Sequence, residues 1–444
     1  MSDSLARGIA DLEAQNAGTR EMGVAEAITL VQEIIARECT EERLAVLQKA
    51  ASGVREAAEE TKKMVAGILA RERISVPGMT LEEAAAAIYR NLWGMGPLDD
   101  LYRDPEVDEI CVLPDGKVFV VRRGKNEPTS IVLGREDIKT LIDRLIPYDE
   151  MGASLNESSP RLESVRPDNV RVTALCRPVA KDYCFTLRKH GTIDMTPEIL
   201  VRLGTLDDRV WRILTLLARG RRNLLICGGV NSGKSTLLKM IIGTLDPRLS
   251  VRVLDTDNEV RASELYSERN ILEMEEHPEV KAPMEALFQT TLRLTPDVIV
   301  VGEFRGPKEA FAAVQACIRG HMGMATAHFT DPVTAVWGTA VLLQREQPDL
   351  PFEINILLVA RAFNFIIQMF TDSTRGVKKL KSITELVVED DHVVYNDLVK
   401  WRPSTEDYLG PGVWEIVGRP SEASVELMTQ YGVRRKEIED VFGN

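Results

Sequence analysis

The sequence predicts an α/β protein. Its second half is a parallel sheet with helices on both faces, preceded by a smaller α+β domain and an amino-terminal helical appendage. Three observations carry this. First, the apolar runs NLLICGG (223–229), RVLDT (252–256) and DVIVVGE (297–303) are short and separated by segments of helical period. Strands buried on both faces read as continuous apolar runs, and their alternation with helices indicates a parallel sheet. Second, residues 106–132 carry runs of Val, Ile and Phe on either side of Pro114-Asp115-Gly116, the chemistry of a hairpin turn. Third, residues 1 to about 75 are dense in Glu, Ala, Lys and Arg and lack proline. Val31, Ile34, Ile35, Leu44 and Leu47 recur there at three- and four-residue spacing.

Taken in order, residues 1–78 form the helical appendage, read as helix throughout and either packing on its neighbour or docking a partner. A helix at 81–93 breaks at Gly94, Gly96 and Pro97. The hairpin, a helix at 135–146 and a β-rich stretch at 171–188 complete an α+β domain over 79–190. Residues 191–204, interrupted by Gly191 and Pro197, read as a linker. The α/β domain fills 205–444. It begins with a helix ended by Gly220 and finishes with a hairpin around Asp390-Asp391 and an amphipathic segment at 424–442. Trp401 and Trp414 read as core or interface fillers.

Composition limits the function. The 444 residues are 44% hydrophobic and 28% charged, which suits two or three globular domains and excludes disorder as the main theme. A net charge of −13 argues against electrostatic capture of nucleic acid, so no direct nucleic-acid binding is expected. Six scattered cysteines without C-x-x-C pairs read as reduced structural thiols. No signal peptide and no apolar window of about 18–20 residues is visible, so a cytoplasmic protein is expected, touching a membrane only through a partner.

The chemistry begins at Gly228-Gly229-Val230-Asn231-Ser232-Gly233-Lys234-Ser235, which fits G-x-x-x-x-G-K-[ST] between an apolar strand and a helix opening with Thr236. The glycines let backbone N–H groups turn toward a phosphate, and the helix presents its positive end. Lys234 can bridge β- and γ-phosphates and Ser235 can ligate Mg²⁺. Such a loop needs a carboxylate to hold the metal's water shell or polarise the nucleophile. Glu303 is the acid at the end of its strand, with Gly302 where a penultimate aspartate is usual. A second acidic cluster, Asp255 through Glu259, ends another strand. Of five histidines, His321 and His328 fall in one segment, RGHMGMATAH. Seven-residue spacing across glycines disfavours zinc, and a loop placing His328 near the γ-phosphate is the better reading.

These motifs together resemble the traffic ATPases of type II and type IV secretion. LRLTPDVIVVGEFRG (292–306) is similar to that family's Walker B signature and RGHMGMATAHFTDP (319–332) to its His box. GPLDDLYRDPEVDEICV and TLRKH are similar to the amino-terminal domain of the branch serving tight-adherence pili and conjugation. The resemblance implies a homo-hexameric ring motor with a RecA-like domain. It would use ATP and Mg²⁺ beneath a polytopic inner-membrane platform protein, powering pilus assembly or secretion. It assigns Glu303 to the Walker B glutamate, His321 and His328 to the His box, and Arg305 to the arginine after the glutamate. Arg171 and Arg188 match the basic residues that face nucleotide across a domain or subunit boundary.

Two departures stand out. Asp255 replaces the glutamate of the family's acidic box, one methylene shorter, which predicts slow turnover. Val165 occupies the place of an arginine, with Arg166 next to it. The altered box motivates a second reading, a weakly hydrolysing ring subunit acting as scaffold or partner of an active paralogue. A small-molecule kinase would leave the His box unexplained.

Overall fold

A computed structural model describes residues 20–146, 154–189, 195–256, 260–276 and 282–443. The chain divides into two compact units, Met1–Ile193 and Asp194–Asn444.

In the first unit, strands β1 (Arg20–Glu21) and β2 (Ile74–Ser75) pair in parallel. Between them lie helices Val24–Glu38, Glu41–Ala51 and Arg55–Arg71. The uninterrupted helix read from composition is therefore broken. Thr40 stops it by capping the second helix through Arg43 N–H, and Gly53 turns the chain with φ +99°. Residues 1–19 lie outside the described residues. The fourth helix, Leu81–Leu92, starts on a Thr80–Glu83 capping box. Val31, Ile34, Val65, Leu69 and Ile88 form the helical core.

Strands β3 (Val107–Val112), β4 (Lys117–Arg122), β5 (Lys125–Val132), β6 (Arg161–Val165), β7 (Val170–Leu175) and β8 (Cys184–Lys189) form an antiparallel sheet in the order β5-β4-β3-β8-β7-β6. Helix Arg135–Leu145 lays Ile138, Leu141, Ile142 and Leu145 on one face, against Ile110, Val120, Val172 and Leu187. β6 escaped the sequence reading because RLESV offers only Leu162 and Ser164 to the inside.

Arg166 welds this unit together. It is 4% exposed. Its guanidinium donates to the carbonyls of Ala51 (3.1 Å) and Arg144 (3.1 Å), each at the end of a helix, and to Asp168 Oδ1 (3.4 Å). The Tyr102 hydroxyl also donates to Asp168, and burial pushes that phenol well above its ordinary pKa. Helical segment and sheet thus share one unit, with no break near residue 78, and Arg166 cannot stand in for an arginine at 165. Arg166→Ala is expected to cost about 3 kcal/mol, because two buried carbonyls and a carboxylate lose a charged donor. Denaturant unfolding of the full chain measures this; an unchanged midpoint would refute the role.

The second unit opens with helix Pro197–Arg202, capped by Thr196 through Ile199 N–H. It falls inside the stretch read as linker, where Pro197 starts a helix at its first position. After helix Asp208–Arg219 come β9 (Leu224–Cys227), helix Lys234–Gly243, β10 (Val251–Asp255), β11 (Ile271–Glu275), helix Met284–Thr291, β12 (Val298–Phe304), helix Pro307–Ile318 and β13 (Met322–Ala327). Helices Pro332–Glu346 and Phe352–Ala362 lead to β14 (Phe365–Asp372), β15 (Val377–Glu389), β16 (His392–Pro403) and β17 (Gly412–Ile416). Helices Glu422–Gln430 and Arg435–Phe442 end the unit.

Among the described residues these strands form one sheet, β11-β10-β12-β13-β9-β14-β15-β16-β17. The pairings from β11 to β14 are parallel and those beyond are antiparallel. Leu224, Ile226, Val253 and Val300 pack into the core on one face, while Leu225, Leu254, Ile299 and Val301 pack on the other. Burial of both faces is why these strands read as unbroken apolar runs, and the expected α/β class holds.

β13 corrects the reading of residues 319–328 as a loop. Met322–Ala327 is a buried strand between β12 and β9. Its Gly and Ala residues have low strand propensity and hid it. Trp401 and Trp414 pack with ring centroids 4.5 Å apart around the buried Lys379 ammonium.

Candidate functional site

Parallel strands bring their carboxyl ends to one edge, where crevices bind ligands. Cys227, Ala327, Phe304 and Asp255 end β9, β13, β12 and β10 there. Residues 228–233 leave β9 as a loop. Asn231 (φ +58°) and Gly233 (φ +87°) adopt left-handed backbone, and helix Lys234–Gly243 starts at once. Lys234 is 5% exposed. Its Nζ donates to the Gly229 carbonyl (3.1 Å) and lies 3.3 Å from His328 Nδ1 and 3.6 Å from Glu303 Oε1. His328 Nε2 is 2.7 Å from the same Oε1. On the other side, Arg305 donates Nε to Glu303 Oε2 (2.5 Å), and its Nη2 reaches that oxygen too. A buried carboxylate therefore joins a lysine, a histidine and an exposed arginine beside the phosphate loop.

The loop has the chemistry for a nucleotide. Ser232 Oγ is buried with no hydrogen-bond partner among the described residues, and buried hydroxyls are rarely left so. Val230 is exposed at the loop's tip, and Ser235 and Thr236 stand in the first helical turn. Among the described residues no group of three or more His, Cys, Asp or Glu could hold a metal. Were Mg²⁺ to bind here with a nucleotide, the side chains that would offer it oxygens are Ser235 in the first helical turn and, through water, Glu303 at the end of β12.

Of the other expected residues, Asp255 ends its strand at this edge and His321 does not. Asp255 is 4% exposed, and its Oδ2 accepts the Val260 N–H at 2.9 Å. A Cβ on Gly302 would lie 2.8 Å from Asp255 Cγ and Oδ1. Gly302 is thus more than a missing acid, since it leaves room for the carboxylate of the neighbouring strand. Glu259 lies outside the described residues. His321 precedes β13 at the opposite edge, its Nδ1 3.0 Å from the Pro296 carbonyl. The length of the strand separates it from His328, so the structure does not bring the two together.

Arg171 and Arg188 belong to the first unit, where they are register partners on β7 and β8. Glu109 of β3 is the next partner of Arg188. Burial pushes the Glu109 carboxyl up, against the pull of Arg188. All six cysteines are free, and burial raises the Cys227 and Cys317 thiols far above their ordinary range, as suits structural thiols.

Two residues near the loop carry no motif. Gln368, 1% exposed, donates Nε2 to the carbonyl of Phe329, the residue after His328 (2.9 Å). Lys378 runs its stem beside Gly233, with Cδ 3.7 Å from where a Cβ would stand. Both lie far from the loop in sequence and reach it only through the pairing of β9 with β14 and β14 with β15.

The family model described as type II/IV secretion system protein matches residues 158–342. The chain is 26% identical over 344 residues to an uncharacterised protein of Methanocaldococcus jannaschii, an alignment covering 75% of this chain and 61% of that relative. It is 26% identical over 238 residues to a probable conjugal transfer protein, TrbB, of Sinorhizobium fredii, covering 52% of this chain and 70% of that one. Among solved structures it is similar to the Legionella pneumophila ATPase DotB, with 17% identity and a TM-score of 0.45 over 77% of this chain and 84% of that one. No helix among the described residues is long and apolar enough to cross a membrane. The phosphate loop and the acidic end of β12 both lie inside the span that this family model matches.

Proposed function

We propose that this chain is the ATPase motor of a secretion or pilus-assembly system, working as a homo-hexamer against a membrane platform protein. The observation that carries the reading is the junction of Lys234, His328 and Arg305 on the Glu303 carboxylate beside the phosphate loop. Phosphoryl transfer depends on positioning and charge stabilisation, and these groups divide that work. Lys234 neutralises the β- and γ-phosphates, while the loop's N–H groups cradle the chain of phosphates. Glu303 orients the attacking water, and its partner His328 reads whether a γ-phosphate is present. Arg305 releases Glu303 as it turns toward developing negative charge. Ser235 and, through water, Glu303 would hold Mg²⁺ when it binds, and the ion would supply further charge neutralisation.

The second reading, a ring subunit that binds nucleotide and hydrolyses it weakly, rests on the shorter acid at Asp255, where the resemblance implies a glutamate. A single experiment separates the two: ATP hydrolysis by the full chain across a concentration series, with light scattering on the same samples and Lys234→Ala as the blank. Activity that rises with hexamer assembly and vanishes in the blank supports the motor. Hexamers that bind ATP without hydrolysing it support the second reading, and absence of nucleotide binding overturns both.

A further inference from the structure

We propose that Lys378 is a second phosphate-binding lysine, contacting the α/β side of the nucleotide while Lys234 serves the γ side. The inference rests on the nucleotide-binding reading above and deepens it. Its basis is the way β14 and β15 wall the loop. β14 pairs with β9 up to Gln368 and Cys227, where β9 ends. β14 continues to Asp372 and so rises about 13 Å past the sheet edge, at roughly 3.3 Å per residue. Lys378 is the register partner of Thr371 on the returning strand, which puts it at this raised height. Its stem lies against Gly233, the left-handed glycine directly before Lys234, and the ammonium is two bonds beyond the Cδ that makes this approach.

The two lysines come from different elements, Lys234 from the helix after the loop and Lys378 from β15. Lys234 folds toward Gly229, His328 and Glu303. Lys378 flanks the start of the helix, where backbone N–H groups of such loops meet the α- and β-phosphates. A cation there adds to the helix's positive end.

The element carrying Lys378 is braced. Asp372 Oδ1 accepts the N–H (2.9 Å) and the hydroxyl (2.6 Å) of Thr374 in the turn. Arg375 makes a two-pronged pair with Asp407 (2.7 and 2.8 Å), which holds that carboxyl down at about 2. Phe370 meets Tyr408 edge-on at 5.7 Å. At its base, Gln368 ties the same strand to the Phe329 carbonyl, next to His328. A side chain on so constrained a hairpin is positioned in advance, the condition for an effective contact. Simple cover of the loop by a solvated lysine would need none of this bracing.

The test is calorimetric binding of MgADP and of MgATP to the full chain, compared with Lys378→Met and Lys378→Arg. The methionine variant is expected to weaken both nucleotides by a similar factor, about tenfold for one charge-assisted contact. It should also show a shallower salt dependence, and the arginine variant should recover most of the affinity. Unchanged ADP affinity in Lys378→Met would overturn the proposal. A loss confined to ATP would move the contact to the γ-phosphate and overturn the assignment made here. If the unsubstituted chain binds neither nucleotide, the nucleotide-binding reading itself has failed. A thermal midpoint without nucleotide checks folding. Should the methionine variant unfold, Lys378→Gln, which keeps a polar end group without the charge, carries the same expectation.

Discussion

Glu303→Gln is expected to lower ATP turnover by two to three orders of magnitude while nucleotide still binds. In the structure one carboxylate oxygen serves His328 and Lys234 and the other serves Arg305. An amide has nearly the same shape but no charge and a single acceptor oxygen. Whichever way it turns, an NH₂ group faces a cation on one side. The substitution therefore removes the group that would orient water and loosens His328 and Arg305 at once. Binding should survive, because Lys234 loses a competing carboxylate and is freer to meet phosphate. Single-turnover hydrolysis alongside ATP binding measures both halves. Turnover within about threefold of the unsubstituted chain would exclude Glu303 from the proposed chemistry, since an oriented carboxylate in a protected site is worth far more than that.

The sequence was most informative where chemistry is local. The phosphate loop needs its glycines and lysine within eight consecutive residues. The apolar runs of β9, β10 and β12 announce strands buried on both faces, so the α/β class and the glutamate at the end of β12 could be read directly. Long-range pairing hid the rest. In β13 (MGMATA) one Gly and two Ala interrupt the apolar run, and these small residues carry little strand signal. That strand also explains His321, since two histidines at either end of a six-residue strand cannot share a site. Arg166 resembled a displaced site arginine, and only the folded unit shows it spent on helix-end carbonyls. Gln368 and Lys378 had no motif to mark them.

The exchange between Gly302 and Asp255 gives the second large effect. Gly302→Ala is expected to destabilise the chain by about 1–3 kcal/mol, the usual cost of overpacking, and to depress turnover with it. The new methyl would stand 2.8 Å from the Asp255 carboxyl and 3.0 Å from Val260 Cγ2. Neither neighbour can withdraw, since Asp255 is held by the Val260 N–H and the strand is buried on both faces. Glu303 is the next residue, so a shift of this backbone moves the carboxylate that the phosphate loop faces. Asp255→Glu meets the same wall from the other side. Restoring the longer acid should therefore cost stability without quickening turnover. A stronger version places the acid on β12 itself. Gly302→Asp alone forces two carboxylates into one buried volume, whereas Gly302→Asp combined with Asp255→Gly leaves a single carboxylate, supplied by the other strand. If the two positions compete for that volume, the double variant is more stable than the sum of the single effects allows, by at least about 1 kcal/mol. Denaturant unfolding of the three variants reads this coupling. Simple additivity would mean that Gly302 and Asp255 are independent, and that the glycine answers to some other constraint.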